Sequence, residues 1–99
     1  MLFRHADATV QRLDDKADFT GGYSRAIIKA FRSRMQLIRA AADVRTFYGL
    51  KSLHFEKLKG KRHRQHSMRL NKQFRLIVEI EKDSAGAQML VILGIEDYH

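Results

Sequence analysis

The hydrophobic periodicity changes once along the chain, and this change constrains the fold more than any other feature. Apolar side chains first recur at intervals of three or four residues, at Ile27, Phe31, Met35, Ile38 and Ala42, which predicts a helix over residues 25–42 with one buried stripe. From residue 68 onward, apolar and polar side chains alternate, as they do in strands that bury one face. Helices followed by an antiparallel sheet indicate an α+β fold.

Shorter signals complete the helical half. Residues 2–4 are predicted to form a short edge strand, and Asp7 is predicted to cap a first helix. Ser24 follows a glycine pair and is expected to cap the long helix, because its hydroxyl accepts from a free backbone N–H. A further helical turn begins at Asp43 and is stopped by Gly49.

The sheet half contains three strand-like segments. Residues 68–71 and 74–81 predict a hairpin with one apolar face. Residues 89–93 are apolar without alternation, which favours a mid-sheet strand that is covered on both faces. The helices are expected to cover one face of this sheet, so the opposite face, with Arg69 and Arg75, stays available for a ligand.

Length and composition limit the class of protein. A chain of 99 residues with 44% hydrophobic residues is expected to form a single domain over residues 1–99, with one modest core and any site on its surface. No apolar run approaches the roughly 20 residues of a membrane span, and the first residues lack the apolar core of a signal peptide. We therefore expect a cytoplasmic protein without membrane contact.

The positive charge is concentrated in residues 51–75. This segment holds nine Lys and Arg residues and a single acid, Glu56, so it carries the entire formal excess of +8. A local positive field of this kind favours a polyanionic partner. The alternative is a solvated basic loop that serves solubility.

The residue types suit RNA cleavage without a metal, which needs a base for the ribose 2′-OH, cations for the crowded phosphate and an acid for the leaving 5′-oxygen. His99 can serve as acid or base, Lys59 and Arg75 can neutralise phosphate charge, and Tyr98 can stack on a base. Asp97 can orient the imidazole, although a salt bridge to a nearby Arg is an equal alternative. A frayed polar chain end is the competing interpretation of residues 97–99.

Other chemistries have less support. The glycines form no phosphate-cradling pattern. The chain has no Cys, and His54, His63 and His66 stand among basic residues that would repel a cation. We therefore expect no metal site and no cofactor.

Three runs of residues, in this order, resemble the HigB or plasmid maintenance killer branch of RelE/ParE-type bacterial toxins. They are Leu-Lys-Gly at residues 58–60, Gln-His-Ser-Met-Arg-Leu-Asn with Phe-Arg-Leu at residues 65–71 and 74–76, and Glu-Asp-Tyr-His at residues 96–99. The resemblance implies helices packed on a small twisted, mainly antiparallel sheet. It also implies the toxin of a type II toxin-antitoxin system, a ribosome-dependent endoribonuclease that cuts mRNA, inhibits translation and arrests growth.

The same resemblance implies partners and roles. The partners are a HigA-like antitoxin with a helix-turn-helix domain, the ribosome and its mRNA. Lys59 and Arg75 take the phosphate-stabilising roles, and Asp97, Tyr98 and His99 take the catalytic and substrate-contacting roles at the chain end.

One position departs from the family pattern. Many relatives place His three residues before the Lys of Leu-Lys-Gly, whereas this chain has Glu56 there and His54 two residues earlier. A carboxylate can serve as the base, so the division of acid and base work between Glu56 and His99 stays open, and His54 is a candidate substrate contact.

The remaining cations are expected to hold RNA. Lys61, Arg62 and Arg64 exceed what the motif requires and are interpreted as a grip on ribosomal RNA, because phosphate contacts give affinity without reading sequence. Arg69 is a further candidate contact, with a plain cross-strand charge as its alternative.

Two other functions fit the same residues. One is a ParE-like toxin that inhibits DNA gyrase and needs no catalytic His. The other is a non-catalytic basic module that binds RNA or DNA through residues 51–75.

Overall fold

A computed structural model describes residues 1–62 and 64–98. Within them, three α-helices and five strands follow the order β1 α1 α2 α3 β2 β3 β4 β5. The helices are α1 Ala8–Asp15, α2 Arg25–Ala40 and α3 Arg45–Gly49, and the strands are β1 Phe3–His5, β2 Glu56–Lys57, β3 Gln65–Arg69, β4 Phe74–Lys82 and β5 Gln88–Asp97. Short 3₁₀ turns at Lys51–Leu53 and Gly60–Arg62 flank β2.

The strands form one sheet in the order β1-β5-β4-β3-β2. All neighbours pair antiparallel except β1, which pairs parallel to β5 at one edge. This arrangement confirms the α+β prediction and the early edge strand, which lies one residue later than expected. The apolar run of β5 also lies inside the sheet, between β1 and β4, with Leu90, Val91 and Ile92 buried.

Helices α1 and α2 begin where their caps predict, whereas α3 begins at Arg45, two residues after the predicted Asp43, without a side-chain cap. The Asp7 carboxylate accepts from Val10 N at 2.9 Å, and the Ser24 hydroxyl accepts from Ile27 N at 3.3 Å. Along α2, the predicted stripe from Ile27 to Ile38 is buried. The prediction was wrong at the end of α2: Ala41 adopts an extended ψ of 143° and is buried in place of Ala42, which is exposed, because the helix stops at Ala40.

The hydrophobic core lies between the helices and one face of the sheet. It joins Phe31 and Ile38 of α2 to Met68, Leu76 and Ile92 of the central strands. Because side chains alternate along a strand, Arg69 and Arg75 point to the other face, which we call the open face. The helices of the core pack on the opposite side, as predicted, although Ser67, Ile77 and Val91 of the open face are also buried.

A β-bulge in β5 decides which side chains reach the open face near the chain end. Ile77 pairs with Gly94 and Val78 with Ile92, so Leu93 is an extra residue. Gly94 has φ +141°, a conformation that favours glycine. The extra residue reverses the alternation, so Ile95 joins the core while Glu96 and Tyr98 lie on the side of Arg75. Without the bulge, both would follow Leu90 and Ile92 to the helix side.

Candidate active site

Arg75 is the centre of a cluster on the open face. Its Nη2 donates a hydrogen bond of 2.6 Å to the His54 carbonyl oxygen, and its guanidinium carbon lies 4.9 Å from the centroid of the Tyr98 ring. The Nε of Arg75 is buried and has no hydrogen-bond partner within the described residues. A planar cation is therefore held between a backbone oxygen and an aromatic face, which is a fixed orientation for a group that recognises phosphate.

His54 closes the cluster on the side of β2. It follows the 3₁₀ turn Lys51–Leu53 and has a left-handed backbone, with φ 47°. This conformation is uncommon for a residue with a β-carbon. It accompanies the contact of its carbonyl oxygen with Arg75, while its ring Nε2 lies 3.4 Å from Arg69 Nη1.

Arg69 and Arg75 are directly opposite each other in the β3–β4 pair. Like charges in this relation repel, and Arg69 is anchored by a 3.3 Å hydrogen bond from its Nε to the Asn71 carbonyl. The two guanidinium groups thus face the same region of the open face, where an anion would stabilise both.

The chain end is tied to the turn between β3 and β4. Tyr98 N donates to the Gln73 carbonyl at 2.7 Å, and Gln73 Nε2 donates to Asp97 Oδ2 at 3.0 Å. Tyr98 is 42% exposed, so its ring is accessible as well as stacked. Gln73 was not predicted as a site residue, because nothing in its local sequence reports that the register places it beside the chain end. His99 lies outside the described residues.

Glu56 lies one residue pair further along the open face. It pairs with Ser67 in β2–β3, next to the Arg69–Arg75 pair, and its side chain is exposed. Ser67 and Arg69 are two residues apart in β3, so Glu56 is about 7 Å along the strand from the level of Arg69. Glu56 therefore lies beside the cluster without a hydrogen bond or ion pair to Arg75.

Lys59, Lys61 and Arg64 lie at the opposite end of β3. Leu58 N donates to the Gln65 carbonyl, which puts Lys59 near the start of the strand, whereas Arg69 ends it. Four steps along β3 correspond to about 13 Å. All three side chains are exposed, and they form a cationic loop beside the cluster without a contact to Arg75.

Arg62 differs from the other loop cations because it is bound to a carboxylate. Its Nη1 and Nη2 donate to the two Glu96 oxygens at 2.8 and 2.6 Å, and its Nε donates to Gln65 Oε1 at 2.9 Å. The hydrogen bond from Arg62 holds the pKa of Glu96 below its ordinary value. The local sequence did not mark Glu96 as a site residue, because its contact with Arg62 depends on the bulge.

His66 does not belong to the open face. Its ring stacks on Phe55 with centroids 5.0 Å apart, and the residue is buried. Burial, together with the charge of Lys57, lowers the pKa of His66, so the ring is neutral at pH 7. Across residues 1–62 and 64–98, no three His, Asp or Glu side chains are grouped as ligands for a metal ion.

Comparison with known proteins identifies the family. A family model described as the RelE-like toxin of the type II toxin-antitoxin system HigB matches residues 3–92. The chain belongs to the HigB-like toxins. It is thus a RelE/ParE-superfamily toxin of a type II system, and such a toxin has an antitoxin as its partner. The match includes Glu56, Lys59 and Arg75 and ends before Asp97 and Tyr98.

The fold of the toxin has a solved counterpart. A structure described as a YoeB/ParE toxin from Agrobacterium tumefaciens superposes with a TM-score of 0.63 at 14% identity, covering 100% of both chains. At this identity the similarity shows the fold alone. No curated protein matches the toxin in sequence. Among its described helices, none has both the length and the apolar character needed to cross a membrane.

Proposed function

We propose that the toxin is an endoribonuclease that cleaves mRNA on the translating ribosome, by attack of a ribose 2′-OH and without a metal ion. The observation that carries this proposal is the placement of Arg75. Its guanidinium is held over the exposed Tyr98 ring and opposite Arg69 on the open face. A phosphate between the two arginines would have its adjoining base within reach of an aromatic surface.

The reaction needs little more than these groups. The 2′-oxygen attacks the adjacent phosphorus while a base accepts its proton, and the bond from phosphorus to the 5′-oxygen breaks as an acid protonates that oxygen. The products are a 2′,3′-cyclic phosphate and a 5′-hydroxyl. Arg75 and Arg69 would stabilise the charge that develops on the phosphate oxygens, and Tyr98 would stack on a splayed base.

The acid and base are assigned from the resemblance and from position. His99 follows Tyr98 directly and is proposed as one of the pair, with Asp97 as its orienting carboxylate. Glu56, exposed on the neighbouring residue pair, is proposed as the other. Which of the two removes the 2′-OH proton is left to the pH profiles of their variants.

The cationic loop supports the choice of the ribosome as the place of action. Lys61 and Arg64 are exposed and lie beside the cluster rather than in it. Lys59 lies in the same loop and is proposed to keep the phosphate-stabilising role that the resemblance implies. The charge of Lys61 and Arg64 suits contacts with the phosphates of ribosomal RNA, which provide affinity without sequence preference. The toxin is accordingly proposed to act in the cytoplasm.

The antitoxin is proposed to be HigA-like, with a helix-turn-helix domain. The open face and the cationic loop together form the strongly basic side of the toxin. A partner that blocks this side has to offset its positive field, so we expect an acidic or covering segment in the antitoxin.

The proposal is tested by inducing the toxin in cells and mapping new mRNA 5′-ends, with a reporter that lacks a ribosome-binding site. Cuts within translated regions, absent from the untranslated reporter and abolished by His99→Ala, are expected. Cuts at equal frequency in the untranslated reporter would contradict dependence on the ribosome.

The same experiment separates the two alternatives. Growth arrest without new 5′-ends would favour inhibition of DNA gyrase. RNA binding that is lost only when Lys61 and Arg64 are reversed in charge, with no cleavage, would favour a non-catalytic module.

A further inference from the structure

The Arg62–Glu96 pair lies on the open face beside the exposed cations Lys61 and Arg64. Both oxygens of Glu96 are bound by the Arg62 guanidinium, and the two side chains are 41% and 39% exposed. Glu96 reaches this position only because the bulge at Leu93 turns it to the open face. A cavity of about 260 Å³ adjoins the pair and is lined by both residues and Gln65.

The carboxylate occupies the position that a phosphate would take. Two parallel N–H groups of an Arg side chain bind carboxylate and phosphate oxygens in the same bidentate manner. Gln65 Oε1 accepts a hydrogen bond of 2.9 Å from the Nε–H of Arg62, so the guanidinium keeps its direction if Glu96 leaves. The Arg62 guanidinium is therefore oriented to bind an anion, whether that anion is the Glu96 carboxylate or a phosphate.

Exchange of the anion would cost little. Ion pairs between exposed side chains contribute little net stability, and more than a third of each partner is exposed here. The neighbouring cations Lys61 and Arg64 add a field that favours a phosphate, which remains linked to the rest of the RNA. Glu96, by contrast, can turn toward water without moving β5.

We propose that Arg62 is a phosphate-binding residue whose site is occupied by Glu96 in the free toxin, and that bound RNA replaces the Glu96 carboxylate with a backbone phosphate. The proposal rests on the proposed function only in taking RNA as the ligand. Its consequence is that Glu96 lowers the affinity of the toxin for RNA in general. RNA that offers few other contacts would therefore bind weakly.

The first test measures binding of a 2′-O-methylated single-stranded RNA, which cannot be cleaved by 2′-OH attack. In the wild type, replacement of the Glu96 carboxylate forms one phosphate contact and releases one carboxylate. The two changes offset each other, so the replacement adds almost nothing to the salt dependence of RNA binding. Glu96→Gln should bind about fivefold tighter at 100 mM salt and show a salt slope steeper by about 0.7, the value for one added phosphate contact on a single strand.

Glu79→Gln is the matched control. Glu79 lies on the same open face, opposite Gln65, and its carboxylate does not bind Arg62, so this variant removes the same charge without freeing the guanidinium. Equal gains in affinity and slope for Glu79→Gln and Glu96→Gln would overturn the proposal. Weaker binding by Glu96→Gln, together with a lower free energy of unfolding, would do the same and assign the pair a structural role.

A second measurement uses the wild type, so it does not depend on how a variant folds. The carboxyl carbon signal of Glu96 is titrated by NMR in the free toxin and with the same RNA. Exchange predicts a higher pKa for Glu96 in the complex, because the carboxylate loses Arg62 and gains a phosphate as neighbour. An unchanged pKa of Glu96 in toxin that is saturated with RNA would contradict the exchange. Cleavage on ribosomes is measured separately, so a failed exchange and a failed nuclease proposal give different results.

Discussion

The proposed catalytic role of Arg75 gives the sharpest prediction from the site geometry. Arg75→Ala removes a charged hydrogen bond to the His54 carbonyl and the stack on Tyr98. A charged hydrogen bond contributes about 1.5–3 kcal/mol, and an exposed cation–π contact about 0.5–1 kcal/mol. Because Arg75 is only half-buried, we take the lower end and expect a loss of about 2 kcal/mol in the free energy of unfolding.

The loss in rate should be larger than this. Removing one preorganised donor from a developing oxyanion typically lowers kcat by about 10²–10³. Arg75→Lys keeps the charge but lacks the planar donor pair, so its rate should fall between those of Arg75→Ala and the wild type. Lys82→Ala removes a charge from the far end of β4 and should cleave at nearly the wild-type rate.

Single-turnover cleavage of mRNA on purified ribosomes, paired with urea unfolding of each variant, separates the two effects. The cleavage rate should fall even under conditions where Arg75→Ala is fully folded. A loss of less than about tenfold, below the usual effect of such a donor, would refute the assignment. So would a loss that follows the unfolded fraction of the variant.

Three further predictions concern stability and the chain end. Burial acts to raise the pKa of Asp14, but hydrogen bonds from Arg39 and His5 outweigh this effect and lower the pKa. The stabilisation by this carboxylate is present above its unfolded pKa of about 3.9 and is lost as pH falls through its pKa in the folded protein. Asp14→Asn should therefore lower the free energy of urea unfolding by about 1–3 kcal/mol at pH 7 and by clearly less at pH 3; an equal difference at both pH values would contradict this. Arg32 donates to four backbone carbonyls at and just beyond the end of α1, so Arg32→Ala should cost about 1–3 kcal/mol in thermal or urea unfolding, and a neutral result would refute that role. His99→Ala should abolish cleavage while the affinity for RNA falls only modestly; cleavage at the wild-type rate by this variant would contradict a catalytic His99.

The helical half of the fold could be predicted from local signals. The buried stripe of α2 repeats over about three turns, and Asp7 and Ser24 accept from backbone N–H groups three residues ahead. Both features therefore depend on short segments of sequence. The hairpin of β3 and β4 was predicted from alternation, although β3 begins three residues earlier than the alternating segment because His66 and Ser67 are both buried.

The chain end could not be predicted in the same way. The apolar run of β5 does not alternate, so it contains no signal for the phase of the strand, and the extra residue Leu93 then decides the face of Glu96 and Tyr98. Pairing of Arg62 with Glu96 joins residues 34 positions apart. Chemistry and the family resemblance indicate which residues belong near Arg75. Their contacts, however, depend on the register of the strands.

The chemical nature of the cut ends tests the central claim most directly. Purified toxin is added to ribosomes programmed with a defined mRNA, and the product ends are identified by their reactivity toward phosphatase and kinase. Attack by the 2′-OH predicts a 2′,3′-cyclic phosphate upstream and a 5′-hydroxyl downstream, formed only on ribosome-bound mRNA and strongly reduced in Arg75→Ala. Products with a 5′-phosphate and a 3′-hydroxyl, or equal cleavage of free mRNA, would contradict the proposed mechanism.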